Sequence, residues 1–136
     1  MDHCIELLKK HEGRRLFPYK CTAGKLTIGY GRNIEDTGIS EEEAESMLQA
    51  DIERSRQELV DKTDYFVPLS EPRQTVLINM VFNLGWSRFS RFRKMIKALK
   101  DGDYPKSAVE MLDSRWADQV GGRAKELARI MSLGRY

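Results

Sequence analysis

Residues 12–27, EGRRLFPYKCTAGKLT, are the stretch whose reading decides the fold. Glu12 is followed after eight residues by Cys21, and after five more by Thr27. Upstream, Met1, Cys4, Ile5, Leu8 and Glu12 recur at helical spacing, with Lys9 and Lys10 off that stripe. The pattern predicts an amphipathic helix that ends at Gly13, a natural site for a left-handed residue. A glutamate in a last helical turn faces the negative end of the helix dipole, at a cost of about 0.3–1 kcal/mol. Partial burial on the apolar stripe would add desolvation, and both effects favour a protonated carboxyl. That state is what a general acid requires. The alternative is a solvated glutamate at a frayed helix end.

Downstream, Leu16–Tyr19 and Leu26–Tyr30 have the composition of two strands joined by a turn at Thr22–Lys25. Alternation puts Leu26, Ile28 and Tyr30 on one face, with Thr27, Gly29 and Gly31 on the other. Two glycines strip the Thr27 face and leave room for a ligand near the backbone. A hairpin of this register sets Cys21 beside Thr27, with Glu12 at the hairpin's base. The pair Gly29-x-Gly31 is no phosphate loop, because no third glycine follows at the right spacing and no helix opens there.

The Glu-x8-Cys-x5-Thr spacing and the run Leu26–Gly31 resemble the phage lysozyme family, the tailed-phage endolysins of glycoside hydrolase family 24. Ile78–Gly85 (INMVFNLG) is similar to that family's central helix, and Ser114-Arg115-Trp116 followed by Arg123-Ala124-Lys125 to its closing segment. The blocks run in family order over nearly the whole chain. The resemblance implies an α+β, two-lobed lysozyme-like domain over residues 1–136. A small β-sheet lobe (about 13–60) would be joined by a long helix to a helical lobe (about 69–136 plus the first helix). It implies hydrolysis of the β-1,4 bond between N-acetylmuramic acid and N-acetylglucosamine in peptidoglycan, and lysis of a bacterial host. Glu12, Cys21 and Thr27 would be catalytic, with Thr27 orienting a water. Arg123, Asn79, Phe82 and Asn33 would line the groove or partner the glutamate. An arginine paired with Glu12 would favour the ionised carboxyl, against the two effects above. Many relatives have aspartate where this chain has Cys21, so a thiolate would hold the attacking water or bond to the sugar carbon. A lytic transglycosylase, which needs only the glutamate, and a non-catalytic wall-binding module are the competing functions.

At 136 residues the chain suffices for one domain. With 40% hydrophobic and 32% charged residues, it has a globular composition. Ser40-Glu41-Glu42-Glu43 is a capping box, and Ala44, Met47, Leu48, Ile52, Ser55 and Leu59 continue one helical face through Val60. Ser70 and Pro72 open another helix whose residues Val76–Phe82 are apolar on every side, which predicts burial all round. Within it, Asn79 either ties helices together or faces a groove, and Phe82 is core or cleft. Trp116 is read as core. Asp101-Gly102-Asp103 breaks the helices and Pro105 starts the next.

Residues 1–68 carry 10 Lys/Arg against 14 Asp/Glu, and residues 69–136 carry 13 against 7. The basic residues Arg88, Arg91, Arg93, Lys94, Lys97 and Lys100 interleave with Phe89, Phe92, Met95 and Ile96. This is a solvated amphipathic face, a surface for an anionic polymer such as peptidoglycan, or a nucleic-acid surface. The expectation is peptidoglycan and no nucleic acid. Cys4 lies about 12 Å up the helix from Glu12, too far to bridge Cys21, and is expected in the core. His3 and His11 lack neighbours at ligand spacing, so neither a metal nor a cofactor is expected. No signal peptide, membrane anchor or spanning segment is legible. The expected protein is a monomer made in a host cytoplasm, reaching the wall through a partner such as a holin.

Overall fold

The computed structural model describes residues 1–136. Helix α1 (Asp2–Glu12) leads into strand β1 (Arg15–Lys20), β2 (Leu26–Gly29), β3 (Arg32–Asn33) and the single-turn helix α2 (Ile34–Thr37). Next come α3 (Glu41–Lys62), α4 (Glu71–Leu84), α5 (Trp86–Phe89), α6 (Arg93–Lys100), α7 (Tyr104–Leu112), α8 (Arg115–Val120) and α9 (Gly122–Leu133). The architecture is α+β, with a small antiparallel sheet near the N-terminus. The chain divides into two compact units, Met1–Met47 and Leu48–Tyr136, and the boundary falls inside α3.

In the N-terminal unit the sheet runs in the order β1-β2-β3. Tyr19 pairs with Thr27 and Arg15 with Gly29, with an irregularity between, and Thr27 pairs with Asn33 across the second hairpin. Strand β2 ends at Gly29, so Tyr30 and Gly31 turn the chain into β3 instead of prolonging the strand as expected. The capping box forms as the sequence predicts. The Ser40 amide donates to Glu43 Oε1 at 2.9 Å, and the Glu43 amide donates to Ser40 Oγ at 3.1 Å. Glu43 also pairs with Arg32 at 2.6 Å, pinning β3 to the start of α3. The Arg32 guanidinium, the Ser40 amide and the Ser40 hydroxyl together pull the Glu43 carboxyl down to about 2.

Two expectations fail in this unit. No residue of α1 is buried, so the stripe of Met1, Cys4, Ile5 and Leu8 is not a core face, and Cys4 is an exposed free thiol. Glu12 is exposed as well, and partial burial does not occur. The physical reason is size. Forty-seven residues with a four-residue central strand offer little surface to cover a three-turn helix. Thr27 is the one buried side chain of the unit, at 2% exposure.

The C-terminal unit contains the whole apolar core. Leu59, Phe66, Val76, Leu77, Met80, Phe89, Met95, Trp116, Leu127 and Met131 are among the buried residues that form it. Each such side chain contributes roughly 1.5–3 kcal/mol by leaving water. Helix α3 runs unbroken for 22 residues and gives the core Ser55 and Leu59. Helix α4 buries Val76, Leu77, Met80 and Val81. It is not buried all round, because Phe82 is 44% exposed. Trp116 is core, and its indole N–H donates to Asn83 Oδ1 at 2.7 Å. Helix α6 buries Met95, Ala98 and Leu99 and leaves its lysines exposed, as an amphipathic helix should. Asp103 caps α7 by accepting from the Lys106 amide at 3.1 Å, with Pro105 in the first turn.

Candidate active site

The sequence candidates in the N-terminal unit lie around strand β2: Glu12 ends α1, Cys21 stands in the β1–β2 turn, Thr27 is in β2 and Asn33 in β3. At the closed end of the β1–β2 hairpin, the Lys25 carbonyl organises Cys21 and Thr27. It accepts from the Cys21 amide at 2.9 Å and from the Thr27 hydroxyl at 2.9 Å. The Gly24 amide donates to the Cys21 carbonyl at 2.8 Å, closing the turn. Lys25 is held in turn by Asp36 at 3.3 Å and Glu35 at 3.5 Å. Sequence reasoning missed this role, because a backbone carbonyl carries no residue-type signal.

The Cys21 thiol is half-buried and its pKa is lowered from the ordinary value. Hydrogen bonding from the Lys25 backbone is the largest cause, followed by the Ala23 backbone; desolvation opposes them, and the Thr27 side chain adds a smaller lowering. Amide and hydroxyl donors aimed at sulfur stabilise the thiolate over the thiol. The Thr27 hydroxyl itself donates to the Lys25 carbonyl at 2.9 Å.

Glu12 occupies the base of the same hairpin. Gly13 ends α1 with φ 73°, the positive value its type predicts, but an extended ψ of 156°. The chain therefore leaves the helix directly into β1 with the Glu12 side chain left beside the β2–β3 turn. There its carboxylate lies against Gly31: a Cβ on that glycine would stand 2.7 Å from Glu12 Oε2. No ion pair within this unit uses Glu12. Glu12 and Cys21 thus stand at opposite ends of β2, with Thr27 beside the cysteine.

The remaining candidates have local partners. Asn33 caps α2, its Oδ1 accepting from the Asp36 amide at 3.1 Å and its Nδ2 donating to Asp36 Oδ2 at 3.0 Å. In the C-terminal unit, Arg123 donates to Asn79 Oδ1 through Nε at 3.0 Å and Nη2 at 2.8 Å. That pair ties α9 to α4, the structural role open to Asn79. Phe82, on the same helix, is free to meet a ligand.

A titratable thiol predicts a pH profile and a reactivity. A function that needs the Cys21 thiolate gains activity as pH rises through the thiol pKa, so its rising limb falls below the ordinary thiol range. Iodoacetamide should inactivate the protein, with Cys21 modified faster than a free cysteine peptide at pH 7, and a chitooligosaccharide should slow both. Peptide mapping with residual activity checks this; full activity after complete Cys21 modification would contradict it.

An exposed carboxylic acid and a thiol of lowered pKa at the two ends of one strand of a small sheet, on an α+β frame, are compatible with a glycoside hydrolase of lysozyme type. Family comparison agrees: the model of the phage lysozyme family matches residues 9–131. An endolysin of Acyrthosiphon pisum secondary endosymbiont phage 1 is 35% identical, covering 93% of this chain and 86% of its own length. A probable T4-type lysozyme 2 of Dictyostelium discoideum is 25% identical over 95% and 93% of the two chains. The pre-baseplate central spike protein Gp5 of Enterobacteria phage T4 is 28% identical, matching 95% of this chain within 27% of its own length. The chain belongs to the phage lysozyme family.

Proposed function

We propose that this protein is an endolysin-type muramidase that hydrolyses the β-1,4 bond between N-acetylmuramic acid and N-acetylglucosamine and thereby lyses a bacterial cell. The observation that carries the reading is the placement of Cys21 and Thr27 on the one Lys25 carbonyl at one end of β2, with the carboxyl of Glu12 against Gly31 at the other. Glu12 donates its proton to the glycosidic oxygen as the bond to the muramic-acid carbon breaks. The Cys21 thiolate takes a proton from the water that adds to that carbon, or first bonds to the carbon and is then displaced by water. Thr27, almost fully buried, acts through its hydroxyl on the thiol and its turn. Arg123, Asn79, Phe82 and Asn33 are the groove candidates. Phe82 is the one among them whose exposure suits stacking on a sugar.

Peptidoglycan glycan strands are the substrate. The basic, exposed face of α6 suits an anionic polymer of this kind. No helix is long and apolar enough to cross a membrane. The reading includes a monomer that reaches the wall from the host cytoplasm with a separate membrane-opening partner of holin type. Mass spectrometry of a digest of purified peptidoglycan tests the reaction. Hydrolysis leaves muramic acid with a free reducing end, and the digest should contain that product. An anhydro-muramyl product instead would assign a lytic transglycosylase and remove water addition from the scheme.

A further inference from the structure

Strand β2 and its following turn contain two glycines with positive φ, Gly29 at 72° and Gly31 at 80°. Their surroundings differ. A Cβ built on Gly29 meets nothing within 4 Å, whereas one on Gly31 meets Glu12 Oε2 at 2.7 Å, Glu12 Cδ at 3.2 Å and Glu12 Cβ at 3.6 Å. Real Cβ atoms do not approach oxygen that closely, so a side chain at position 31 and this carboxylate position exclude each other. The Glu12 side chain is exposed and makes no ion pair within its unit, so it is the part that would yield. The contact itself is relieved by movement of the carboxylate, while the positive φ of 80° adds a backbone strain that any side chain there would carry.

We infer that Gly31 is a positioning residue for the general acid: its bare backbone forms the wall against which the Glu12 carboxylate is set, and any Cβ there turns the proton donor away from the glycosidic oxygen. The inference rests on the proposed role of Glu12 and adds the residue that fixes its geometry. A displacement of about 1 Å at a reacting group can cost on the order of 100-fold in rate. Gly31 therefore acts on kcat through Glu12.

The test separates this effect from the strain of placing a side chain at positive φ. Gly38 has φ 66° and open space around its Cβ position, so Gly38→Ala carries the backbone cost without touching Glu12. Asparagine tolerates positive φ better than alanine, so Gly31→Asn repeats the substitution if Gly31→Ala does not fold, and Gly102→Ala, at φ 71° with open space around its Cβ position, replaces Gly38→Ala if that control does not. Thermal melts should show similar stability losses at the two positions. On soluble peptidoglycan fragments, the position-31 variants should lose at least tenfold in kcat with KM within about twofold, and the control variant neither. A double-mutant cycle with Glu12→Asp, which withdraws the carboxylate by one methylene, adds a readout that a structural role would not move. Glu12→Asp should cost at least fivefold less in the Gly31→Ala background than in the native chain. Additive effects, or equal kcat losses at position 31 and in the control, would overturn the inference. Full activity of Glu12→Gln would instead overturn the role of Glu12 itself.

Discussion

Cys21→Ala should lower the clearing of peptidoglycan suspensions by about 100- to 10,000-fold, the usual contribution of a positioned base or nucleophile, while Cys21→Asp retains most of the activity. The contrast follows from what the hairpin supplies. The backbone at Lys25 and Ala23 and, to a smaller extent, the Thr27 side chain lower the pKa of the group at position 21. Those groups stabilise whatever anion stands there. A carboxylate is as good a recipient as a thiolate, and alanine offers none. The pH profile distinguishes the two active forms. The rising limb of the native enzyme should follow the thiol, below its ordinary range. In Cys21→Asp it should move several pH units lower, into the carboxylate range near 4. Alkylation should spare the aspartate variant. Native-level clearing by Cys21→Ala would remove the sulfur from the mechanism, and an unmoved limb in Cys21→Asp would assign the titration to another group.

Much of this architecture is legible in the chain, for reasons that differ from element to element. Short-range chemistry reads well. Ser40 and Glu43 form a reciprocal pair that needs only each other, and the two hydrogen bonds are where the spacing puts them. The turn at Thr22–Lys25 and the pairing of Tyr19 with Thr27 likewise follow from local pattern. Val76, Leu77, Met80 and Val81 of α4 read as core because large apolar side chains crowd that segment.

What failed depends on how much surface a neighbour presents, and that is a tertiary quantity. The stripe on α1 has the periodicity of a buried face, yet Cys4 and Glu12 are exposed. The turn at Tyr30–Gly31 has no breaker beyond its glycines, so alternation carried the strand too far. Asn79 could have faced a groove or a helix. Only the fold reveals that Arg123, 44 residues away, donates to it twice. Arg73 was silent in the sequence, yet it donates to the carbonyls of Met131 and Ser132 and stacks on Tyr104 at 3.7 Å, tying α4 to the end of α9. Gly31 was visible as a missing side chain, but the carboxylate filling that space was not.

A loss of the same size is expected at Glu12. Glutamine keeps the shape of the side chain and removes the transferable proton, so the fold should be undisturbed while bond cleavage loses its acid. With Glu12 exposed and unpaired within its unit, the substitution leaves no buried group unsatisfied, and the melting temperature should stay within a few degrees of native. General acid catalysis contributes typically 100- to 10,000-fold, and turnover should fall by about that factor. Binding to the wall, which rests on other surfaces, should persist. The most direct single measurement is the turbidity of purified peptidoglycan incubated with the native protein and with Glu12→Gln at equal, folded concentrations. Clearing by the native protein and none by the variant is the predicted result. Equal clearing by both, or sedimentation of the native protein with a wall it never clears, would contradict the account.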